Sequence, residues 1–207
     1  MTFPIFLKMK NRKCVVVGAG DVAESKARAL LKNGATVNII GPEATPGIES
    51  MAGSGEISWS KKRFASGDLD GAFLVVAATD DRQTNEAVRS QATNSGVLVN
   101  IVDQPDSCDF FFPAIVERGH LKVAISTDGQ SPALAKHLKT KLAADIGPEY
   151  SDYLEVVAVF RRAIKGKLKG PERTRQAYKE LFASDLLEKI KQGQKVDIEG
   201  LVSKYAG

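Results

Sequence analysis

The segment from Lys13 to Ala23 constrains the fold more than any other part of the sequence. It joins an apolar strand directly to a Gly-x-Gly-x-x-Ala turn, and apolar residues at helical spacing follow. In dinucleotide-binding domains the first glycine permits the sharp turn, and the second lets the backbone approach a pyrophosphate. Gly18 and Gly20 are therefore predicted to hold a cofactor pyrophosphate at the start of the first helix. The alternative interpretation is a tight strand-to-helix turn without a ligand.

Further apolar segments continue an alternation of strands and helices. Residues 35–40 form a second strand that Gly41-Pro42 stops, and apolar runs of the buried parallel type occupy residues 73–78 and 97–102. A polar-faced helix at 80–92 lies between these two runs. This order predicts an α/β fold, a Rossmann-like doubly wound parallel sheet, whose ligand crevice lies at the carboxyl ends of the strands.

The pattern changes after residue 110. Residues 112–116 and 121–126 flank a polar turn, which predicts a hairpin or a paired crossover strand. Ser131-Pro132 then predicts a helix start, and leucines at four-residue spacing continue that helix. Further amphipathic helices follow it. We therefore divide the chain into a sheet domain at 1–113, a segment at 114–147 and a helical domain at 148–207.

The charge of the chain is unevenly distributed. Residues 1–113 carry 12 Lys and Arg against 13 Asp and Glu, whereas residues 114–207 carry 17 against 12. A solvated face explains this basic second part, and attraction of an anionic ligand is the alternative. No nucleic-acid motif is present. No apolar run approaches the roughly 20 residues of a membrane span, and Phe3 to Leu7 is too short for a secretory signal, so we expect a cytoplasmic protein without a membrane partner.

The cysteines and histidines do not predict a metal site. Cys14 and Cys108 form no Cys-x-x-Cys motif, and neither His120 nor His137 forms a metal-ligand spacing with them. We expect both thiols to be reduced, with Cys14 half-buried in the first strand.

Two strand ends supply further candidate cofactor contacts. The acidic residue that usually holds the adenosine ribose is absent directly after the second strand, and Glu43 is the nearest candidate. No arginine stands beside it in the sequence to receive a 2′-phosphate, which favours NAD over NADP. A plain surface glutamate is the alternative. Thr79 and Asp80, which follow the third long strand, are also predicted to contact the cofactor.

The substrate is expected at the end of the last central strand. Asn100 and Asp103 lie there, and a carboxylate at that point can take up a proton while hydride leaves the substrate. The alternative for Asp103 is an ordinary Asp/Pro turn. Ser126, Thr127 and Ser131 precede a helix start and are candidate ligands of a substrate carboxylate, although capping alone explains Ser131.

Six motifs occur in order along the chain. They are Pro4-Ile5-Phe6, Gly18 to Ala23 with Lys26, Ala78 to Asp81, Asn100 to Pro105, Phe110 with Phe112 to Val116, and Val123 to Gly129 with Ser131-Pro132. Together these motifs resemble the precorrin-2 dehydrogenase family of sirohaem synthesis. The resemblance covers residues 1–147 well and extends to the helical tail only in length and character. Ser25 departs from the family, which commonly has arginine there, and Ala19 replaces a glycine.

The resemblance implies an enzyme that uses NAD to oxidise precorrin-2 to sirohydrochlorin. It implies an NAD-binding domain at 1–113, a dimerisation and substrate-site segment at 114–147, and a helical C-terminal domain. Asp103 is implied as the catalytic residue, and Ser126 and Thr127 as part of the tetrapyrrole site. The implied cofactor contacts are Asp21, Val22, Pro42 and Glu43.

Several functional alternatives remain at this point. Some family members also insert ferrous iron, so a sirohydrochlorin ferrochelatase or a bifunctional enzyme is the first alternative. A non-catalytic NAD-sensing regulator is the second, because Rossmann domains also serve as redox switches. We further expect a homodimer, since Phe110, Phe111 and Phe112 and the leucine-faced helix form an apolar surface that a small monomer would cover poorly.

Overall fold

A computed structural model describes residues 2–168 and 170–206 of the chain. The described residues form two compact units, one ending at Phe112 and the other beginning at Pro113. This boundary lies one residue from the predicted end of the sheet domain. The predicted division of the second part at residues 147 and 148 stays a prediction. No helix in the described ranges is long and apolar enough to cross a membrane.

The first unit contains a sheet of five parallel strands in the order β3-β2-β1-β4-β5. The two central strands β1 and β4 are apolar and buried apart from Lys13, as expected when helices cover both faces of a parallel sheet, whereas the edge strand β3 has no buried residue. The predicted α/β fold with a parallel, Rossmann-like sheet is therefore confirmed. The strands are β1 (Lys13–Val17), β2 (Thr36–Ile40), β3 (Ser58–Ser60), β4 (Leu74–Ala77) and β5 (Leu98–Ile101).

Three helices of this unit are α1 (Asp21–Lys32), α2 (Pro46–Gly53) and α3 (Arg82–Ser95). The sequence analysis did not predict α2, although Thr45 is its N-cap and accepts a hydrogen bond from the Ile48 N–H at 3.2 Å. A 3₁₀ turn at Pro105–Ser107 follows β5.

Two expectations for the first unit were wrong. Cys14 is fully buried rather than half-buried, because helices cover both faces of β1, and burial raises the pKa of its thiol to about 11. Phe110 and Phe112, expected on an exposed apolar surface, pack against the core of the first unit with their ring centroids 5.6 Å apart. Lys26 Nζ lies 4.2 Å from the ring centroid of Phe112.

The second unit begins with a hairpin, which was one of the two predicted alternatives. Strands β6 (Ala114–Arg118) and β7 (Leu121–Ile125) pair antiparallel. Helix α4 (Pro132–Asp145) follows, with Ser131 as its N-cap as predicted. Arg118 links hairpin and helix, because its guanidinium donates to the carbonyl oxygens of Ala143 and Ile146 at 2.9 and 2.8 Å.

Four further helices complete the second unit and form their own apolar core. Phe160 and Leu181 are fully buried at its centre, and Phe160 packs edge-on against Tyr178 with ring centroids 5.8 Å apart. The last helix was not predicted from the sequence. The four are α5 (Tyr150–Ile164), α6 (Pro171–Ala183), α7 (Leu186–Lys191) and α8 (Ile198–Ala206).

Candidate active site

The parallel sheet brings several loops to one edge of the first unit. The register aligns Val17 with Ile40 and with Ala77, and Ala77 with Ile101, so the loops after these residues begin at the same level. Strand β1 lies between β2 and β4, where the direction of winding reverses. Open α/β sheets bind their ligands at this position, outside the carboxyl ends of the strands.

The backbone conformation at position 18 requires glycine, whether or not a ligand binds. Its φ of +105° is a conformation that residues with side chains rarely adopt. A Cβ at this position would also overlap the Ala78 carbonyl oxygen, and the Gly18 N–H donates to the Ile40 carbonyl oxygen at 2.8 Å. Gly18 therefore explains the sharp turn and its close approach to the end of β4. Direct contact of Gly18 with a cofactor stays a prediction.

Gly20 has a different environment. Its φ of −86° and ψ of −171° suit any residue, and no described atom lies within 4 Å of a Cβ built on it. As the N-cap of α1 it offers no side chain to the N–H groups of the first turn. Those N–H groups and the local freedom from side chains fit the pyrophosphate of a dinucleotide.

Asp21 and Val22 form the exposed start of α1, next to this turn. Val22 is 46% exposed although its side chain is apolar. Helix α1 packs on the sheet through Ala23, Ala27 and Leu30. Packing within the chain therefore does not explain the apolar side chain of Val22. Contact of Asp21 and Val22 with the cofactor agrees with this exposure and stays a prediction.

The loop that carries Pro42 and Glu43 is fixed at both ends. Trp59 Nε1 donates to the Gly41 carbonyl oxygen at 2.9 Å, and the Thr45 N–H donates to the Ala19 carbonyl oxygen at 3.1 Å. A Cβ at Gly41 would lie 2.8 Å from the Cβ of Ala19. The loop therefore packs directly on the glycine turn. Pro42 and Glu43 themselves are exposed, and their contact with the adenosine ribose stays a prediction.

Sequence reasoning missed two lysines that begin at the same edge of the sheet as the loop of Glu43. Lys61 and Lys62 follow β3, which pairs with β2, so they begin at the same edge of the sheet. Lys62 forms an ion pair with Asp68 at 2.6 Å, and Lys61 Nζ lies 4.2 Å from the centroid of a Trp59 ring. A search for cations beside Glu43 in the sequence could not find them, since the pairing of two strands brings them there. Both have partners within the protein, which agrees with the predicted preference for NAD.

A cavity of about 500 Å³ lies between the loop after β4 and the turn after β5. This volume is in the range of small-molecule sites. Three predicted site residues, Thr79, Asp80 and Asp103, line it together, so the structure unites a predicted cofactor loop with the predicted catalytic residue. The remaining lining residues are Arg82, Asn85, Val102, Gln104, Asp106 and Ser107.

The β4 side of the cavity is a rigid helix start. Asp81 caps α3 by accepting hydrogen bonds from the Thr84 hydroxyl at 2.6 Å and the Gln83 N–H at 3.0 Å, and these bonds, that from Thr84 first, lower the pKa of Asp81. The Asp81 N–H donates to Thr79 Oγ1 at 2.8 Å, and Asn85 Nδ2 donates to the Thr79 carbonyl oxygen at 3.0 Å. Thr79 is therefore held from both sides.

Asn85 is a second residue that sequence reasoning missed. It is 5% exposed, and its Oδ1 has no hydrogen-bond partner in the part of the chain that the structure describes. Its Nδ2 bond to Thr79 explains why an amide is useful here. The position four residues after the helix cap, on the buried face of α3, was the only signal in the sequence.

The β5 side of the cavity carries Asp103. This residue is exposed and has a φ of +61°, which aspartate and asparagine tolerate better than most residues. The thiol of Cys108 braces the turn, because the Ile101 N–H donates to Cys108 Sγ at 3.2 Å and the thiol donates to the Gln104 carbonyl oxygen at 3.2 Å. Burial raises the pKa of this thiol. Asp103 thus lies on a turn with a fixed backbone beside the cavity.

Asn100, predicted to bind substrate, uses its amide within the protein. The residue is 7% exposed, and its Nδ2 donates to the Phe110 carbonyl oxygen at 2.9 Å. This bond holds the chain that returns along β5. A contact between Asn100 and substrate stays a prediction.

Ser126, Thr127 and Ser131 lie together in the loop before α4, in the second unit. Their hydroxyl oxygens each accept a hydrogen bond from a nearby backbone N–H, at 3.1 to 3.2 Å. For Ser131 this bond is the helix cap to the Leu134 N–H. Loop structure alone therefore explains these contacts, and substrate binding by the three residues stays a prediction.

In the described ranges, no group of three or more His, Cys, Asp and Glu side chains is arranged to hold a metal ion. His120 and His137 are both exposed.

Comparison with known proteins gives two family matches. Residues 5–114 match the family described as putative NAD(P)-binding. Residues 118–144 match the central part of sirohaem biosynthesis proteins. The resemblance to the precorrin-2 dehydrogenase family noted in the sequence agrees with both matches.

The chain is also similar to individual proteins. It is 37% identical to a siroheme synthase of Methylobacillus flagellatus over 193 residues, and 37% identical to one of Methylococcus capsulatus over 203 residues. These alignments include 93% and 98% of this chain but only 41% and 43% of the relatives. The structure of SirC, a precorrin-2 dehydrogenase, matches with a TM-score of 0.79 and 25% identity, over 99% of this chain and 98% of that one.

Proposed function

The chain belongs to the putative NAD(P)-binding family, and on that premise we propose that it is an NAD-dependent precorrin-2 dehydrogenase that forms sirohydrochlorin. The observation that carries the proposal is the match to SirC over nearly the whole of both chains. The chain spans about two fifths of its siroheme synthase relatives. The likeness to SirC therefore supports a narrower activity than the names of those relatives do.

The first unit supplies the geometry for this reaction. The N–H groups at the start of α1 bind the pyrophosphate, and Pro42 and Glu43 contact the adenosine ribose. Thr79 and Asp80 contact the nicotinamide half from the β4 side of the cavity. When bound, NAD accepts the hydride that leaves the tetrapyrrole.

Asp103 handles the proton that leaves the substrate as hydride departs. Its carboxylate lies at the cavity, where it accepts the proton directly or through water. Oxidation of this kind releases one hydride and one proton, so the base and the hydride acceptor must flank the same substrate. The braced turn at Asp103 and the rigid loop at Thr79 line one cavity, which supports this division of roles.

The second unit has features of its own that suit an anionic ligand. Precorrin-2 carries many carboxylates, and the excess of Lys and Arg in residues 114–207 attracts such a ligand. Ser126, Thr127 and Ser131 are the proposed substrate contacts of the second unit. Asn100 is a separate proposed contact at the end of β5 in the first unit.

A second activity, insertion of ferrous iron into sirohydrochlorin, is the leading alternative or addition. The relatives are named for siroheme, whose formation requires iron. Iron insertion needs a base that removes pyrrole protons, and Asp103 is suited to that task too. Ferrous iron would then be a substrate of the enzyme.

We also propose that the protein is a cytoplasmic homodimer. Helix α4 buries only Ala135 among its described side chains, whereas Leu134 is 48% exposed. On β6, Ile115 is 38% exposed. A second copy of the chain that covers these side chains would complete the packing of the hairpin and α4.

The decisive experiment mixes the protein with precorrin-2 and NAD and records visible absorption with and without ferrous iron. A dehydrogenase forms sirohydrochlorin without iron, and a bifunctional enzyme then converts it to the iron product. Iron-dependent change from sirohydrochlorin without NAD turnover would indicate a chelatase only. Binding of NAD without either reaction would contradict the proposal and favour a regulator.

A further inference from the structure

A carboxylate outside the predicted site connects the glycine turn with the ribose loop. Glu24, in the first turn of α1, accepts a hydrogen bond from the Thr45 hydroxyl at 2.6 Å. Its other oxygen accepts two bonds from the Arg28 guanidinium, at 2.7 and 2.9 Å. Both oxygens of Glu24 are therefore engaged, and one of them reaches the residue that ends the loop of Pro42 and Glu43.

Thr45 contacts three structural elements, which are α1, α2 and the glycine turn. Its hydroxyl oxygen also accepts the Ile48 N–H at 3.2 Å and so caps α2. Its backbone N–H donates to the Ala19 carbonyl oxygen of the glycine turn at 3.1 Å. A change in the position of Thr45 would therefore move the end of the ribose loop relative to the turn that receives the pyrophosphate.

The packing around Glu24 leaves its carboxylate little freedom. A Cβ at Gly47, in the first turn of α2, would overlap that carboxylate. The hydrogen bond from Thr45, followed by that from Arg28, lowers the pKa of Glu24. The carboxylate also lies near the start of α2, where the helix dipole favours a negative charge.

We infer that Glu24 is a positioning residue for cofactor binding, which acts through Thr45 to hold the loop of Pro42 and Glu43 at the adenosine ribose. This inference rests on the proposed function, in which the crevice binds NAD. It concerns only the adenosine half of the cofactor, because the Thr79 loop and the Asp103 turn are held by other contacts.

The first test compares Glu24→Gln and Thr45→Val with Thr45→Ser. Calorimetry measures binding of NAD, of ADP-ribose, which keeps the adenosine and lacks only the nicotinamide ring, and of nicotinamide mononucleotide, which lacks the adenosine. Loss of a hydrogen bond to a charged group should weaken NAD and ADP-ribose about tenfold and leave the mononucleotide unchanged. Thr45→Ser keeps the hydroxyl and should retain wild-type affinity. In turnover, the KM for NAD should rise while kcat at saturation is unchanged.

The sharper test is Gly47→Ala, with Gly53→Ala as its matched control. Both changes add one methyl group to α2 and raise its helix propensity, but no described atom lies within 4 Å of a Cβ at Gly53. Only Gly47→Ala displaces the Glu24 carboxylate, while Glu24, Thr45 and Arg28 all remain. It should weaken ADP-ribose several-fold relative to Gly53→Ala.

The outcomes separate this inference from the proposed function. If the wild-type chain binds neither NAD nor ADP-ribose, the proposed function fails. If the wild type binds both, and Gly47→Ala and Glu24→Gln bind ADP-ribose within twofold of it, Glu24 only joins two helices and the inference is overturned. A fall in Tm without a change in ADP-ribose affinity has the same meaning. Should Thr45→Val not fold, Gly47→Ala decides the question.

Discussion

The parallel sheet and the hairpin segment differ in how completely their own chain covers them. In β1 and β4 nearly every side chain is buried, and α1 buries Ala23, Ala27 and Leu30 against the sheet. In β6 only Val116 is buried, and α4, which is longer than α1, buries only Ala135. The first region has a finished core, whereas the second has apolar side chains that the chain leaves exposed.

This difference in packing agrees with the functions that we assign to the two regions, cofactor chemistry and assembly. Transfer of hydride requires reacting groups held within a fraction of an ångström, which the closely packed sheet provides for the loops at its edge. A two-stranded hairpin is only marginally stable by itself and gains from further packing. We therefore assign cofactor chemistry to the first region and assembly to the second.

Gly20→Val should have the largest effect and tests whether the first region binds a dinucleotide. The branched side chain meets no described protein atom near its Cβ, so the fold should persist. It would occupy the position of the pyrophosphate, and NAD binding should be abolished. Calorimetry on the folded variant measures this, and unchanged affinity would remove the basis for a nucleotide site.

Gly18→Ala is the informative control for that variant. Here the left-handed φ and the overlap with the Ala78 carbonyl oxygen should cost about 2 kcal/mol or more of unfolding free energy. Thermal denaturation should show a lower Tm for Gly18→Ala and a preserved fold for Gly20→Val. This result would assign Gly18 to the fold and Gly20 to the ligand.

Asp103→Asn should have the next largest effect. Asparagine tolerates the positive φ at this position, so the turn should be preserved. Loss of a general base typically lowers the rate on the order of a hundredfold or more, and NAD affinity should be unchanged. Asp106→Asn, at another carboxylate that lines the cavity, is the matched control and should keep its rate.

Both rates of the Asp103→Asn variant should be measured. A loss confined to iron insertion would assign Asp103 to that reaction alone. Wild-type rates in both assays would identify it as an ordinary turn residue and weaken the assignment of chemistry to the first region.

Leu134→Glu tests the second region. If a second copy covers this leucine, a buried charge should weaken the dimer by roughly tenfold or more while the folded chain remains. Thr140→Glu introduces the same charge at an exposed position roughly a third of a turn around α4 from Leu134 and should leave the dimer intact. Light scattering measures both variants. If the wild-type protein is monomeric at micromolar concentration, the assignment of assembly to the second region is wrong.

The preference between NAD and NADP should be the smallest effect, several-fold in favour of NAD. Glu43 disfavours a 2′-phosphate, whereas Lys61 and Lys62 begin at the same sheet edge but are engaged with Trp59 and Asp68. Titration with both cofactors checks this. Equal or tighter binding of NADP would indicate that one of these lysines turns toward the ligand.

The features that the sequence analysis did not predict have a common physical cause, which is packing between segments. Helix α2 has eight residues with glycine near both ends, and its packing on the sheet, more than its propensity, stabilises it. Cys14 was expected to be half-buried, because a strand alone does not show whether helices cover both of its faces. The roles of Asn85 and of Cys108 depend on contacts between segments that are apart in the chain.

The sequence by itself determined the parallel sheet, the glycine turn and the helix capped by Ser131, because local spacing and turn residues dictate these features. It left the segment after residue 110 open between a hairpin and a crossover strand. It also pointed to Asp103 through its place after a strand. Only the tertiary structure decided which of those residues share a cavity, which glycine the backbone requires, and how Glu24 meets Thr45. Such facts depend on the pairing of strands and the packing of helices, which bring together residues whose distance along the chain carries no information about their contact.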